Sequence, residues 1–135
     1  MTTAPLSLRL PTALREKVEA IAALEHRSLA DTLKMLAEEA ITMREFPDVI
    51  FTSGPTGRRA SFRRGPDVWE ILEPYVLGHR EWSILRDSYP DSDEATLRTA
   101  VRYYESYPDE IEVRIALNAG WEPSVSAQSR TEEYS

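Results

Sequence analysis

The chain has 135 residues, with 16 Lys+Arg against 23 Asp+Glu, for a formal charge of −7. That length suits one domain or two very small ones, and the absence of cysteine excludes a disulfide scaffold, a thiolate metal site and a cysteine nucleophile. No apolar run approaches the ~20 residues of a membrane span, and MTTAPLSLRL is too short in apolar residues for a signal-peptide core, so a soluble cytoplasmic protein is expected. Excess acid speaks against a protein that coats nucleic acid generally, because phosphate binding feeds on positive charge. The charge is uneven, however. Residues 1–45 hold 6 basic and 7 acidic side chains, residues 46–118 hold 9 and 13, and residues 119–135 hold 1 and 3.

In chain order, Leu6-Ser7-Leu8-Arg9-Leu10 alternates strictly between apolar and polar, with Pro5 and Pro11 at its flanks. Period two places the three leucines on one face of a short strand and Ser7 and Arg9 on the other. Thr12 is placed to cap a helix whose apolar positions are Leu14, Val18, Ile21 and Ala22. The pattern stops at Glu25-His26-Arg27, and Ser28 with Asp31 reads as the start of a second helix burying Leu29, Leu33, Leu36, Ala37, Ala40 and Met43. One strand and two helices make a poor core alone. A homodimer solves this by pairing the strands antiparallel, with Leu6, Leu8, Leu10, Leu33 and Leu36 in a shared core. The opposite face of that ribbon presents Ser7 and Arg9, and a two-stranded ribbon fits the major groove of B-DNA.

Residues of about 5–45 resemble a ribbon-helix-helix DNA-binding domain of the CopG/antitoxin type. The likeness rests on LSLRLP, the L-P-x-x-L-x-x-x-V entry into the first helix, and the Ser-led second helix. It implies that Ser7 and Arg9 read bases and that Ser28, with Arg27 beside it, binds phosphate at a helix start. Many members carry glycine between the helices; here the equivalent is His26, which tolerates a left-handed backbone less well.

Phe46-Pro47-Asp48 marks a boundary. Val49–Thr52 and Arg58–Arg64 around a Gly/Pro cluster predict a hairpin. Gly65-Pro66 then precedes a helix with Val68, Trp69, Ile71 and Leu72 inward, which Pro74 should end or kink. A helix from about Arg80 carries Trp82, Leu85 and Tyr89, and Tyr89-Pro90-Asp91-Ser92 breaks it. Asp91 or Ser92 caps the next, with Leu97, Ala100, Val101 and Tyr104 inward. Pro108 opens a last helix with Ile111 and Ile115, Gly120 terminates it, and 119–135 reads as a flexible tail. The expected class is therefore mainly α: an N-terminal ribbon-helix-helix dimer (1–45), then a hairpin and small helix-turn-helix module (46–118).

Residues 46–118 resemble a small helix-turn-helix family, a domain of unknown function common among bacterial antitoxins. The likeness rests on G-R-R-A before P-D-V-W-E-I-L, the Y-P-D-S turn and A-V-R-Y-Y-E-S-Y-P-D-E-I. Gly57-Arg58-Arg59-Ala60 matches the family's hairpin motif only loosely. The resemblance implies a PIN-type ribonuclease toxin as partner. Together the two resemblances imply an antitoxin that binds operator DNA as a homodimer, represses its own operon and neutralises the toxin directly. A stand-alone regulator without a toxin is the alternative.

Other candidates stand beside plainer readings. Arg58, Arg59, Arg63 and Arg64 form the one dense basic run, suited to phosphates or an acidic partner, or else to salt bridges within the fold. Thr96, Arg98, Thr99 and Arg102 face outward where a recognition helix would lie, but Asp91, Asp93 and Glu94 at its start repel DNA, which favours a solvated face. Trp69, Trp82, Tyr89, Tyr103, Tyr104 and Tyr107 read mostly as core, with one or two free to anchor a partner. His26 and His79 are the only histidines, no triad or metal spacing is present, and SGPTGR lacks the ending of a phosphate loop. No catalysis, metal or cofactor is expected.

Overall fold

The structure, a computed structural model, describes residues 4–55 and 57–129, with side chains as far as residue 120. It is mainly helical, with six helices and one two-stranded antiparallel hairpin among the described residues. No described helix is long and apolar enough to cross a membrane. The chain divides into two compact units, Met1–Glu45 and Phe46–Ser135.

In the first unit, residues 4–11 form no strand within one chain. Alternating leucines favour an extended backbone, but a strand also needs a hydrogen-bonding neighbour, and no described residue pairs with this segment. Helix α1 (Thr12–Glu25) is preceded by Pro11 in the cap position, so Thr12 is its first residue and not its cap. The Pro11 carbonyl accepts the Arg15 N–H at 2.9 Å. Val18 and Ala22 are buried and Ile21 half-buried, while Leu14 stays exposed. His26 ends α1 in the left-handed region, at φ 55° and ψ 47°. Arg27 N–H bonds back to the Ala22 carbonyl at 2.9 Å and His26 N–H to that of Ala23 at 3.3 Å, the two bonds that close a helix end of this kind.

Ser28 caps α2 (Leu29–Glu45) by accepting the Asp31 N–H at 3.1 Å. The stripe that α2 buries is not the leucine stripe. Thr32, Met35, Glu39 and Thr42 are buried, Leu29, Leu33, Leu36 and Met43 are half-buried, and Ala37 and Ala40 are exposed. The threonines tolerate burial because each hydroxyl bonds one turn back: Thr32 to the Ser28 carbonyl at 2.8 Å, Thr42 to that of Glu38 at 3.0 Å.

The second unit opens with β1 (Val49–Gly54) and β2 (Gly57–Phe62), paired from Val49↔Phe62 to Gly54↔Gly57. Thr56 at the tip lies outside the described residues, as do residues 130–135. Gly57, at φ 101°, takes a conformation that side chains disfavour. Helix α3 (Val68–Leu77) buries Val68, Ile71, Leu72 and Tyr75, while Trp69 is only half-buried. Pro74 does not end it; the helix continues to Leu77. A proline at 74 offers no N–H to the Glu70 carbonyl four residues back. The Tyr89 hydroxyl donates to that carbonyl at 3.1 Å and fills the gap.

After α3, His79 and Arg80 both adopt φ 61°, while Gly78 just before them, the residue best suited to such a backbone, stays at φ −92°. Arg80 holds it: its N–H bonds the Tyr75 carbonyl at 2.8 Å, and its guanidinium reaches the Tyr104 hydroxyl at 3.1 Å and lies 3.9 Å from Glu112. Helix α4 (Trp82–Ser88) buries Leu85 and begins two residues later than Arg80. The cap of α5 (Glu94–Ser106) is Asp93, not Asp91 or Ser92. The preceding turn is clamped by Arg86, whose guanidinium donates to the carbonyls of Ser92 at 2.6 Å and Pro90 at 3.3 Å, so the helix starts beyond it.

On α5 the buried residues are Leu97, Ala100, Tyr103 and Tyr104, with Val101 half-buried. Helix α6 (Pro108–Ser129) starts on its proline, as fits a first-turn position, and buries Ile111 and Ile115. It runs through Gly120, which was expected to terminate it, so the tail predicted from that point is helical as far as Ser129. A glycine ends a helix by turning left-handed, and among the described glycines only Gly57 does so.

Aromatic rings fill the core of this unit. Phe46 meets Tyr103 edge-on at 5.2 Å, Tyr103 lies 5.0 Å from Tyr107, and Tyr75 meets Tyr104 at 6.1 Å. Two of these hydroxyls bond a carboxylate. Tyr103 donates to Glu110 at 2.8 Å and Tyr104 to Glu112 at 2.5 Å. Burial, then the Glu112 hydrogen bond, pushes the Tyr104 pKa above the usual tyrosine value, against the opposing pull of Arg80, so the phenol remains a donor at neutral pH.

Replacing Tyr89 with Phe removes the hydroxyl that donates to the Glu70 carbonyl in place of the N–H that Pro74 lacks. Tyr89→Phe should lower stability by about 1 kcal/mol in urea unfolding. In a Pro74→Ala background, where residue 74 regains its N–H, the same change should cost close to nothing.

Candidate functional site

Ser7 and Arg9 lie on the exposed segment ahead of α1, and among the described residues neither side chain makes a hydrogen bond or ion pair. Leu6 is 85% exposed and Leu8 64%, while Leu10, Leu33 and Leu36 are half-buried, so the single chain does not bury the leucines expected in a dimer core. Arg27 and Ser28 sit side by side at the junction of α1 and α2, both exposed, and among the described residues none engages the Arg27 guanidinium. A helix start leaves its first N–H groups outside the helical ladder. Ser28 takes that of Asp31, leaving those of Leu29 and Ala30 toward solvent. Asp31 opposes an anion there but is itself paired with Lys34 at 3.5 Å.

The four arginines of the hairpin do not form one basic patch. Arg58 and Arg59 are neighbours on a strand and so point to opposite faces. Arg58 donates to Ser53 Oγ at 3.0 Å, and its carbonyl accepts from Arg114 at 2.7 Å, which ties α6 to the hairpin. Arg59 turns into the fold and bonds Asp67 at 2.6 Å, with side chains only 27% and 15% exposed. Its Nη1 is buried without a partner against Gly54, where an added Cβ would sit 2.5 Å away. Arg63 and Arg64 lie exposed in the turn after β2.

Asp67 is the residue that the sequence reading passes over. Beyond Arg59, its carboxylate accepts from Ser61 Oγ at 2.6 Å and from Trp69 Nε1 at 3.2 Å, while its own N–H donates to Glu70 at 2.9 Å. Asp-x-x-Glu ahead of an apolar run is a helix-start spacing and was legible. The convergence of Arg59 and Ser61 on it was not, because they belong to another element.

On α5, Arg98 lies 4.0 Å above the Trp82 ring and pairs with Glu94 at 3.2 Å. Arg102 sits 5.8 Å from the Phe46 ring. Thr96 and Thr99 are half-buried. Both arginines are thus engaged within their own unit, behind an acidic helix start. Among the described residues no group of three His, Cys, Asp or Glu side chains is placed to hold a metal ion. No family model, curated protein or solved structure matches the chain.

Removing Asp67 strands the Arg59 charge. Asp67→Ala should cost about 3 kcal/mol in chemical denaturation, and adding Arg59→Met should recover part of that loss because no unpaired guanidinium is left inside.

Proposed function

We propose that this chain is a homodimeric ribbon-helix-helix antitoxin. It would bind operator DNA through its first unit, repress its own operon and neutralise a PIN-type ribonuclease toxin through its second. The observation that carries the reading is the exposed alternation ahead of α1: Leu6 and Leu8 stand in solvent on a segment with no strand partner. Exposed alternating leucines are costly to a single chain and useful to a pair. Burying one leucine side chain stabilises by roughly 1.5–3 kcal/mol. Two such segments paired about a two-fold axis bury four, and they satisfy backbone groups that otherwise only water can meet.

Such a ribbon turns Ser7 and Arg9 outward from both copies. Arg9 carries a free guanidinium, able to bond two acceptors of a guanine in the major groove. Arg27 and the start of α2 supply a cation and N–H groups for a phosphate, which fixes the ribbon in register without reading sequence. The first unit is nearly neutral, so its affinity rests on these few donors and general attraction to DNA is weak. The surplus acid of residues 46–118 suits a basic, RNA-cutting protein better than DNA. The toxin assignment rests on the resemblance of those residues to antitoxin modules. Toxin and operator would influence each other through the dimer they share.

Arg9→Ala should keep the dimer in sedimentation and lose roughly 1–3 kcal/mol of binding to the protein's own promoter in gel shifts. Unchanged shifts overturn the DNA assignment. Co-expression should rescue cells from a toxic neighbouring gene; a harmless neighbour with intact promoter binding leaves a stand-alone regulator.

A further inference from the structure

The second unit contains an open cleft of about 460 Å³ that neither DNA reading nor dimerisation uses. One wall is the base of the hairpin and the turn after it, with Asp48, Arg63 and Arg64; the other is the start of α5, with Ser92, Asp93 and Thr96. Between them lie the apolar surfaces of Phe62, Pro66, Ile71 and Tyr89. The volume is in the range of sites that hold a small ligand or a few residues of chain.

We propose that this cleft docks a short peptide segment of a protein partner, an apolar side chain flanked by one acidic and one basic residue. The charges on the walls carry the choice. Arg63 is already committed, donating through Nη2 to the Pro47 carbonyl at 3.2 Å. Arg64 is not: no described residue makes a hydrogen bond or ion pair with its guanidinium. Across the cleft, the Asp93 carboxylate makes no cap bond to its own helix. Arg63 and Arg64 outweigh Asp48 on the hairpin wall, Asp93 makes the α5 wall negative, and an apolar surface lies between, so the cleft matches a segment of opposite pattern. The Ser92 and Thr96 hydroxyls offer hydrogen bonds to the backbone of such a segment.

Phosphate is the poorer occupant. Asp48 and Asp93 line the same cleft as the arginines, and two carboxylates repel an anion as strongly as two guanidinium groups attract it. A protein partner with both signs of charge meets no such penalty. The inference is independent of the first unit and of operator binding.

The probe is the acetylated, amidated tripeptide Asp-Leu-Lys, titrated into the 15N-labelled full chain. Amide shifts should concentrate at Phe62–Gly65 and Ser92–Asp93. Arg64→Glu, which removes a side chain with no partner in the fold, should leave the melting temperature unchanged and weaken the peptide roughly fivefold. Arg9→Ala should bind the peptide like the parent chain, which separates this site from the DNA reading. No shifts at either wall, equal affinity in Arg64→Glu, or equal binding of an uncharged Ala-Leu-Ala peptide overturns the proposal. So does a short DNA duplex that moves these amides when the peptide does not.

Discussion

One carboxylate joins the hairpin to the helices. Asp67 stands at the entry to α3 and collects Arg59 and Ser61 from β2 together with Trp69 from the first turn of its own helix. A two-stranded hairpin is marginal by itself. Held against α3 at this point, it places Val49, Ala60 and Phe62 in the same core as Ile71 and Leu72. It also fixes the turn that carries Arg63 and Arg64. The ion pair is worth little as an isolated contact, because desolvation offsets most of its attraction. Its weight lies in geometry: it selects one orientation of hairpin on helix among those that apolar burial alone would accept.

The outline of the fold was legible in the sequence wherever one local rule dominated. Ser28 and Pro108 each mark a helix start by their own chemistry, and the Gly/Pro cluster marks the hairpin turn. His26 was assigned the glycine position of an inter-helix turn and does adopt a left-handed backbone. Legibility failed where a distant group changed the local outcome. Pro74 reads as a helix end until Tyr89 supplies a donor from another element. Asp91 and Ser92 read as caps until Arg86 occupies the turn. Gly120 reads as a stop, yet glycine stops a helix only when the chain has reason to reverse there. The basic run from Arg58 to Arg64 reads as one patch, but strand alternation and Asp67 divide it.

The candidate functions divide along the same line as the units. In the first, the informative residues are Leu6 and Leu8 in solvent, and Arg9 and Arg27 without a partner among the described residues. In the second, most cations are engaged within the fold, and Arg64 stands out by contrast. Net charge alone could not separate these cases. An acidic protein can read DNA with a few well-placed donors, while the same acid tunes other surfaces for basic or mixed partners.

The bond between Tyr89 and the Glu70 carbonyl ties together two positions fifteen residues apart in the chain, 74 and 89. The two residues are coupled through it: proline at 74 exposes a carbonyl, and the Tyr89 hydroxyl donates to it. A change at one position therefore sets the cost of a change at the other. A lineage that loses the phenol does best to lose the proline as well, and the order matters, since replacing Pro74 first restores the helix bond and frees position 89 to drift.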